Sequence, residues 1–126
     1  MLKQILILSS CLLLSACTAE KACTLIGCND GLNIGFKGSL PQNFTLTLKA
    51  SDQPDLTLSC PSGSARHVCF PDSVFVNNYT PESLEISYTA GETSFTRSFT
   101  PSYRNAQPNG PGCGPDCRQG KVELEL

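Results

Sequence analysis

The sequence holds little of what catalytic and metal sites are usually made from. Its 126 residues include a single histidine, His67, and a single methionine. Neither the G-x-S-x-G motif of a hydrolase nucleophile nor the H-E-x-x-H motif of a zinc peptidase occurs. The aspartates are scattered in turns and match no calcium loop, and one His with one Met gives little support to a copper carrier. The sequence therefore predicts a protein that is not an enzyme and that uses no cofactor or metal.

Positive charge and long apolar runs are also scarce. The chain has 9 Lys and Arg against 11 Asp and Glu. The positive residues form no basic patch, which argues against nucleic acid as a partner. The apolar run from Ile5 to Leu14 has about ten residues, whereas a membrane-spanning helix needs about 20. A transmembrane helix is therefore the weaker interpretation of this run.

The apolar run is better explained as part of a secretory signal peptide. One positive charge, Lys3, precedes it, and the small residues Ser15 and Ala16 follow it, directly before Cys17. The stretch Leu14-Ser15-Ala16-Cys17 resembles the lipobox of bacterial lipoproteins. This resemblance implies a helical signal peptide over 1–16, cleavage before Cys17, and a lipid on the Cys17 sulfur with further acylation of its amino group.

Several acyl chains on one residue hold a protein stably at a membrane. The protein is therefore expected at the cell membrane or the outer membrane, facing the periplasm or the cell exterior. Thr18 follows the lipidated position, where an Asp would signal inner-membrane retention in enteric-type bacteria, and so favours the outer membrane. The predicted organisation is a signal peptide over 1–16, a lipidated and cysteine-bearing segment over 17–30, and a β-domain over 31–126.

Alternation of apolar and polar residues dominates the chain after residue 30. Leu84, Ile86 and Tyr88, for example, alternate with polar neighbours, and Ala90-Gly91-Glu92 then predicts a hairpin turn. The pattern predicts an all-β fold, an immunoglobulin-like antiparallel β-sandwich of about seven strands. The predicted core consists of the apolar residues on one side of each strand: Leu32, Ile34, Phe36, Phe44, Leu46, Leu48, Leu56, Leu58, Val74, Leu84, Ile86, Tyr88, Phe95, Phe99, Val122, Leu124 and Leu126.

Six cysteines remain in the predicted mature chain: Cys23, Cys28, Cys60, Cys69, Cys113 and Cys117. An even number in a small exported domain indicates disulfides. Cys60 and Cys69 flank one short loop. The other four lie just before the first and last strands, whose starts are close if these strands run parallel. Bridges between the two ends are therefore favoured. Local pairing of Cys23 with Cys28 and of Cys113 with Cys117 is the alternative, and a four-thiolate zinc site fits the spacings less well.

The segment 100–120 interrupts the strand pattern. It is rich in Pro and Gly and holds Cys113 and Cys117. A structureless loop of this length is unusual in a compact domain, so it is either functional or pinned by its disulfides. His67 lies between Cys60 and Cys69. It could be imagined in a triad with Ser62 or Ser64 and Asp72, but a solvated loop histidine is the simpler interpretation.

The segments around the cysteine pairs, CTLIGCNDGLNIGF and PNGPGCGPDCRQGKVELEL, resemble uncharacterised small bacterial lipoproteins with a predicted β-sandwich. The resemblance implies a β-sandwich with its two ends paired, and it suggests no particular activity. We expect a lipid-anchored envelope protein that binds a partner or has a structural role. The candidate binding residues are Tyr103, Arg104, Asn105 and Asn109. The alternative is an inhibitor of a hydrolase that presents the rigid 108–117 loop. Expected partners are the membrane, through Cys17, and an envelope protein.

Overall fold

The computed structural model describes residues 22–126. All regular structure in this range is β-strand. The predicted signal peptide and Cys17 lie outside the described residues. Within the described range no helix is long and apolar enough to cross a membrane. The strands, in chain order, are β1 (Gly31–Lys37), β2 (Phe44–Ala50), β3 (Gln53–Cys60), β4 (His67–Cys69), β5 (Ser73–Asn77), β6 (Leu84–Ala90), β7 (Thr93–Phe99), β8 (Ser102–Ala106) and β9 (Cys117–Glu125).

The strands form two sheets that pack face to face. One sheet has five strands in the order β4-β5-β1-β9-β8, and the other has four in the order β3-β2-β6-β7. The predicted all-β sandwich is confirmed. The predicted hairpin at Ala90-Gly91-Glu92 joins β6 to β7, and Gly91 has the positive φ of 58° that such a tight turn requires.

The described range has nine strands rather than about seven. The strand β8 was missed because SYRNA carries no apolar alternation, as expected of a solvent-facing strand at the edge of a sheet. The strand β9 begins at Cys117, whereas the alternating pattern begins only at Val122. The predicted long break over 100–120 is therefore wrong in extent, and the connection between β8 and β9 covers 107–116.

One strand pair departs from the antiparallel rule. The first and last strands, β1 and β9, run parallel, with Gly31 opposite Gln119 and Ile34 opposite Val122. Parallel pairing puts the starts of both strands at the same end of the sheet. It is the arrangement on which the disulfide prediction depended.

The disulfides follow from that arrangement. Cys23 is bonded to Cys113 and Cys28 to Cys117, with Cα–Cα distances of 5.6 and 5.8 Å. The third bridge joins Cys60 to Cys69. The structure therefore has the bridges between the two ends and not the local pairs, and it places all four cysteines of the alternative zinc site in disulfides.

The core lies between the sheets and contains most of the predicted residues. The predicted residues that are buried are Leu32, Ile34, Phe44, Leu46, Leu48, Leu58, Val74, Leu84, Ile86, Tyr88, Val122 and Leu124, and Phe36, Leu56, Phe95 and Phe99 are partly buried against them. The prediction that Leu126 belongs to the core was wrong, because this residue lies just beyond the end of β9 and is 39% exposed. Val76 and Tyr79 are fully buried and were not on the predicted list.

Tyr79 gives a stability prediction. Its side chain is fully buried, and its hydroxyl has no hydrogen-bond partner among residues 22–126. A buried polar group without a partner costs about 1–3 kcal/mol. We expect Tyr79→Phe to raise the free energy of unfolding by about 1 kcal/mol in urea titrations at pH 7. Tyr103→Phe is the control, because its hydroxyl donates a hydrogen bond to the Pro81 carbonyl and its loss should destabilise the protein.

The same substitution should alter the alkaline limit of stability. Burial raises the pKa of Tyr79 from 10.0 to about 12, and nearby Asp52 contributes to the rise. The folded protein therefore holds this proton more tightly than the unfolded chain. The associated stability is complete below pH 10 and is lost as the pH rises towards 12. Tyr79→Phe should lose less stability in that window. If Tyr79→Phe is destabilised at pH 7 as much as Tyr103→Phe, the Tyr79 hydroxyl is not an unpartnered, costly group.

Candidate functional site

The outer face of the five-stranded sheet carries side chains unlike those expected of a merely solvated surface. The strand registers align one residue from each strand in a row across this face. In order from β4 to β8, this row is Val68, Phe75, Asn33, Lys121 and Ser102. It therefore runs from apolar groups on one side, through an amide at the centre, to a cation and a hydroxyl on the other side.

A second row lies beside the first and includes Gly31, Gln119 and Arg104. Gly31 leaves space that the Phe75 ring occupies, since a Cβ at position 31 would lie 2.5 Å from the Cζ of Phe75. A side chain at this position would displace the ring. The glycine thus lets the Phe75 ring lie along the sheet, so that the centre of the outer face is a depression rather than a ridge.

Two adjoining depressions of about 600 and 530 Å³ occupy this face. They share four lining residues, Asn33, Phe75, Arg104 and Gln119. We call the combined depression the outer groove and define it by these four residues. Asn33 and Gln119 come from the two central strands and form its floor, while Phe75 and Arg104 flank them on the β5 and β8 sides.

The N-terminal segment, residues 22–30, closes one end of the outer groove. Gly27, Cys28 and Asn29 line this end, and the Cys28–Cys117 disulfide ties the segment to β9. The Gln119 side chain donates a hydrogen bond to the Asn29 carbonyl at 3.2 Å. The backbone N–H of Arg118 donates one to the Asp30 carboxylate at 2.7 Å. Covalent and polar contacts therefore hold the end of the groove in place.

The two sides of the groove differ in chemistry. Phe70, which is 50% exposed, lines the apolar side together with Phe75. Arg104 and Lys121 line the opposite side. No Asp or Glu lines either depression in the described part of the chain. The groove is therefore locally positive although the whole chain has a net charge of −2.

The structure separates the four candidate binding residues. Arg104 and Asn105 are exposed and line the outer groove. Tyr103 is half-buried, with its ring against the backbone of Gly120 and its hydroxyl bonded to the Pro81 carbonyl. Tyr103 therefore takes part in packing, although it also lines the smaller depression.

Asn109, another candidate binding residue, points into the structure. It is only 7% exposed and makes four hydrogen bonds. Its carboxamide oxygen accepts from the Thr24 hydroxyl at 2.8 Å and from the Ile26 N–H at 2.7 Å. Its nitrogen donates to the carbonyls of Ile26 at 2.9 Å and Gly114 at 3.2 Å. Asn109 thus holds the 107–116 connection to the N-terminal segment.

The 107–116 connection is accordingly pinned. Besides Asn109, the Cys23–Cys113 disulfide fixes its middle and the Cys28–Cys117 disulfide fixes its end. Gly110 and Gly112 have φ values of 91° and 74°, a conformation that other residues rarely adopt. Of the two explanations open from the sequence, pinning by disulfides is the one that the structure supports.

His67 is not a solvated loop residue. It is only 4% exposed. Its Nε2 lies 3.0 and 3.1 Å from the carbonyl oxygens of Ser59 and Ser62 and therefore carries the proton. Its Nδ1 accepts from the Ser64 hydroxyl at 2.8 Å. Among residues 22–126 no carboxylate bonds to the ring as the orienting acid of a triad would. The hydrogen bonds of the ring instead close the loop over 61–66.

The sulfurs of Cys60 and Cys69 lie close to the His67 ring. Potential metal-ligating atoms of these three residues lie within 4.8 Å of one another. The two sulfurs are joined in a disulfide, whereas a cysteine binds a metal ion as its thiolate. In this state the cluster is a structural element of the β3–β4 connection.

The hydrogen bonds of Asn109 give a further prediction. Removing its carboxamide leaves the backbone groups of Ile26 and Gly114 without their partner, at a cost of about 1–3 kcal/mol. We expect Asn109→Ala to lower the stability by this amount and to speed amide hydrogen exchange in 24–26 and 107–116. Asn105→Ala is the matched control, since that side chain is exposed. Equal exchange in both variants would show that the disulfides alone fix the connection.

Comparison with known proteins identifies no relative, since no family model, no curated protein and no solved structure matches the chain.

Proposed function

We propose that the protein is a non-enzymatic binding module of the bacterial cell envelope. In this proposal it is anchored by a lipid on Cys17 and takes up its partner in the outer groove. The observation that carries the proposal is the groove itself. Its floor is formed by two adjacent strands, and its end is tied by a disulfide and hydrogen bonds. A preformed site loses little conformational entropy when it binds.

The lining of the groove favours binding over catalysis. It presents amides, cations and aromatic rings, and within residues 22–126 it contains no histidine and no carboxylate. A general acid–base reaction needs a group that titrates near the working pH and lies within reach of the substrate. The lining therefore offers groups suited to recognition, and within the described residues its ionisable side chains are Tyr103, Arg104 and Lys121.

The proposed anchor would keep the groove near the membrane. Five residues lie between Cys17 and Cys23, so the chain between these two cysteines spans at most about 22 Å. Cys23 begins the disulfide-bonded part of the N-terminal segment, and the end wall of the groove follows within a few residues. A partner in the groove would therefore be held close to the envelope surface.

Inhibition of a hydrolase by the 108–117 loop is the second candidate. The pinning of this loop favours it, because rigid loops lose little entropy on docking. The inward position of Asn109 counts against it. The tip at 110–112 is Gly-Pro-Gly, which offers little side chain to fill a specificity pocket. The outer groove therefore supports the proposed function better.

The anchor is tested by cell fractionation and intact mass. Wild-type protein should be found in the membrane fraction, with a mass that begins at Cys17 and includes acyl chains. Cys17→Ser should lose the lipid and leave the membrane fraction. Cys11→Ser is the matched control, because it changes a cysteine within the predicted signal peptide and should leave the lipid in place. Unlipidated wild-type protein in the soluble fraction would overturn the anchor.

The groove is tested by cross-linking in whole cells. Asn33→Trp fills the floor of the groove, and Thr47→Trp places the same ring at the centre of the other sheet's outer face. Both positions are half-buried on central strands. We expect Asn33→Trp to remove at least about 90% of the cross-linked adduct and Thr47→Trp to retain it. Equal adducts in both variants would contradict the groove, and loss on Pro111→Ser alone would favour the inhibitor.

A further inference from the structure

We propose that the ligand of the outer groove is an acidic oligosaccharide, a glycan whose sugar rings carry carboxylate groups. This inference rests on the proposed function and names the chemistry of its partner. Three features of the groove support it: aromatic faces on one side, amides with unused polar atoms on the floor, and cations without ion pairs among the described residues on the other side.

The aromatic side suits the apolar face of a sugar ring. One face of a pyranose presents C–H groups, which pack against the electron-rich face of an aromatic ring. Phe75 lies along the sheet over Gly31, and Phe70 extends the apolar side while remaining 50% exposed. Both residues line the larger depression of about 600 Å³, which is large enough for more than one sugar ring. The exposure of Phe70 has no explanation in the packing of the core.

The floor suits hydroxyl groups. A carboxamide both donates and accepts hydrogen bonds, as a sugar hydroxyl does. The Asn33 carboxamide makes no hydrogen bond within the described residues, and Gln119 uses only its nitrogen, on the Asn29 carbonyl. Both amides are half-buried in the groove. They therefore keep polar atoms ready for a ligand in a partly desolvated place.

The cationic side suits carboxylates. Arg104 and Lys121 line the groove. Neither forms an ion pair within the described residues, because the salt bridge there joins two other residues, Lys37 and Glu123. A guanidinium can bind a carboxylate through two parallel hydrogen bonds. A neutral glycan would leave both cations unused, so an acidic glycan is the better match.

An acidic peptide is the competing ligand, and the backbone of the groove floor disfavours it. The main-chain groups of β1 and β9 are paired with each other and with β5 and β8. An extended peptide would find only side chains for its own N–H and C=O groups, whereas strand addition would take it to an edge, at β4 or β8. A sugar ring has no backbone groups to satisfy.

The test uses the full lipidated protein in detergent micelles and titrates three probes by calorimetry. The probes are tetragalacturonate, a neutral galactose tetrasaccharide, and a tetraglutamate peptide. We expect tetragalacturonate to bind at least about tenfold more tightly than either of the others. Arg104→Gln should weaken its binding by about five- to tenfold, because it removes a charge-assisted contact.

Phe70→Ala should weaken tetragalacturonate binding by about threefold or more, and this exposed substitution leaves the core intact. The matched control is Arg97→Gln, an exposed arginine on β7 of the other sheet, which should change the affinity by less than about twofold. Retained binding in both the Arg104 and Phe70 variants would overturn the inference. So would equal weakening by the Arg97 variant, since it would indicate general charge attraction.

Tighter binding of tetraglutamate would overturn the glycan and assign the groove to an acidic peptide. Failure of all three probes would also overturn the inference. Neither result would by itself contradict the proposed function, because the loss of cross-linking in Asn33→Trp cells reports on the groove whatever its ligand. The proposal that the groove binds a partner and the proposal that this partner is an acidic glycan can therefore fail separately.

Discussion

The parallel pairing of β1 with β9 is the interaction on which the rest of the structure depends. It joins residues about 90 positions apart and places the starts of both strands at one end of the sheet. Such a pairing closes a long loop, and the entropic cost of closing it opposes folding. The two end-to-end disulfides bridge 90 and 89 residues. In the chain-entropy model a closure of that length is worth about 4–5 kcal/mol, although the second bridge adds little to the first.

The outer groove is a consequence of the same pairing. Its floor residues Asn33 and Gln119 lie on the two paired strands, and its end wall is the segment that the Cys28–Cys117 bridge fastens beside them. The other sheet shows the contrast. Its outer face has small hydroxyl residues in contact across strands, such as Ser87 with Thr96 at 2.9 Å. Hydroxyl ladders of that kind suit a surface in contact with water, whereas aromatic, amide and cationic groups suit recognition.

The parts of this fold that could be predicted are those carried by local patterns. Alternation placed the inward residues of most strands, because a strand turns successive side chains to opposite faces. Cysteine count and position indicated three bridges. The missed features are not carried by apolar alternation. Tyr79 lies outside the nine strands, β8 lacks an apolar pattern, and His67 is buried by the loop that its own hydrogen bonds close.

The candidate site was only partly visible in the sequence. Of the four candidate binding residues, Arg104 and Asn105 line the outer groove, whereas Asn109 is buried in the Pro/Gly-rich connection. The sequence does not mark Asn33, Phe75 and Gln119 as site residues, because the alternating pattern of a strand is the same whether its outward residues face open water or a groove. The sequence by itself determined most of the strands, the residues on their inward faces and the six cysteines that form three disulfides. Only the tertiary structure decided the full order of the strands, and hence which outward side chains share one groove, because that order is set by pairing between segments far apart in the chain.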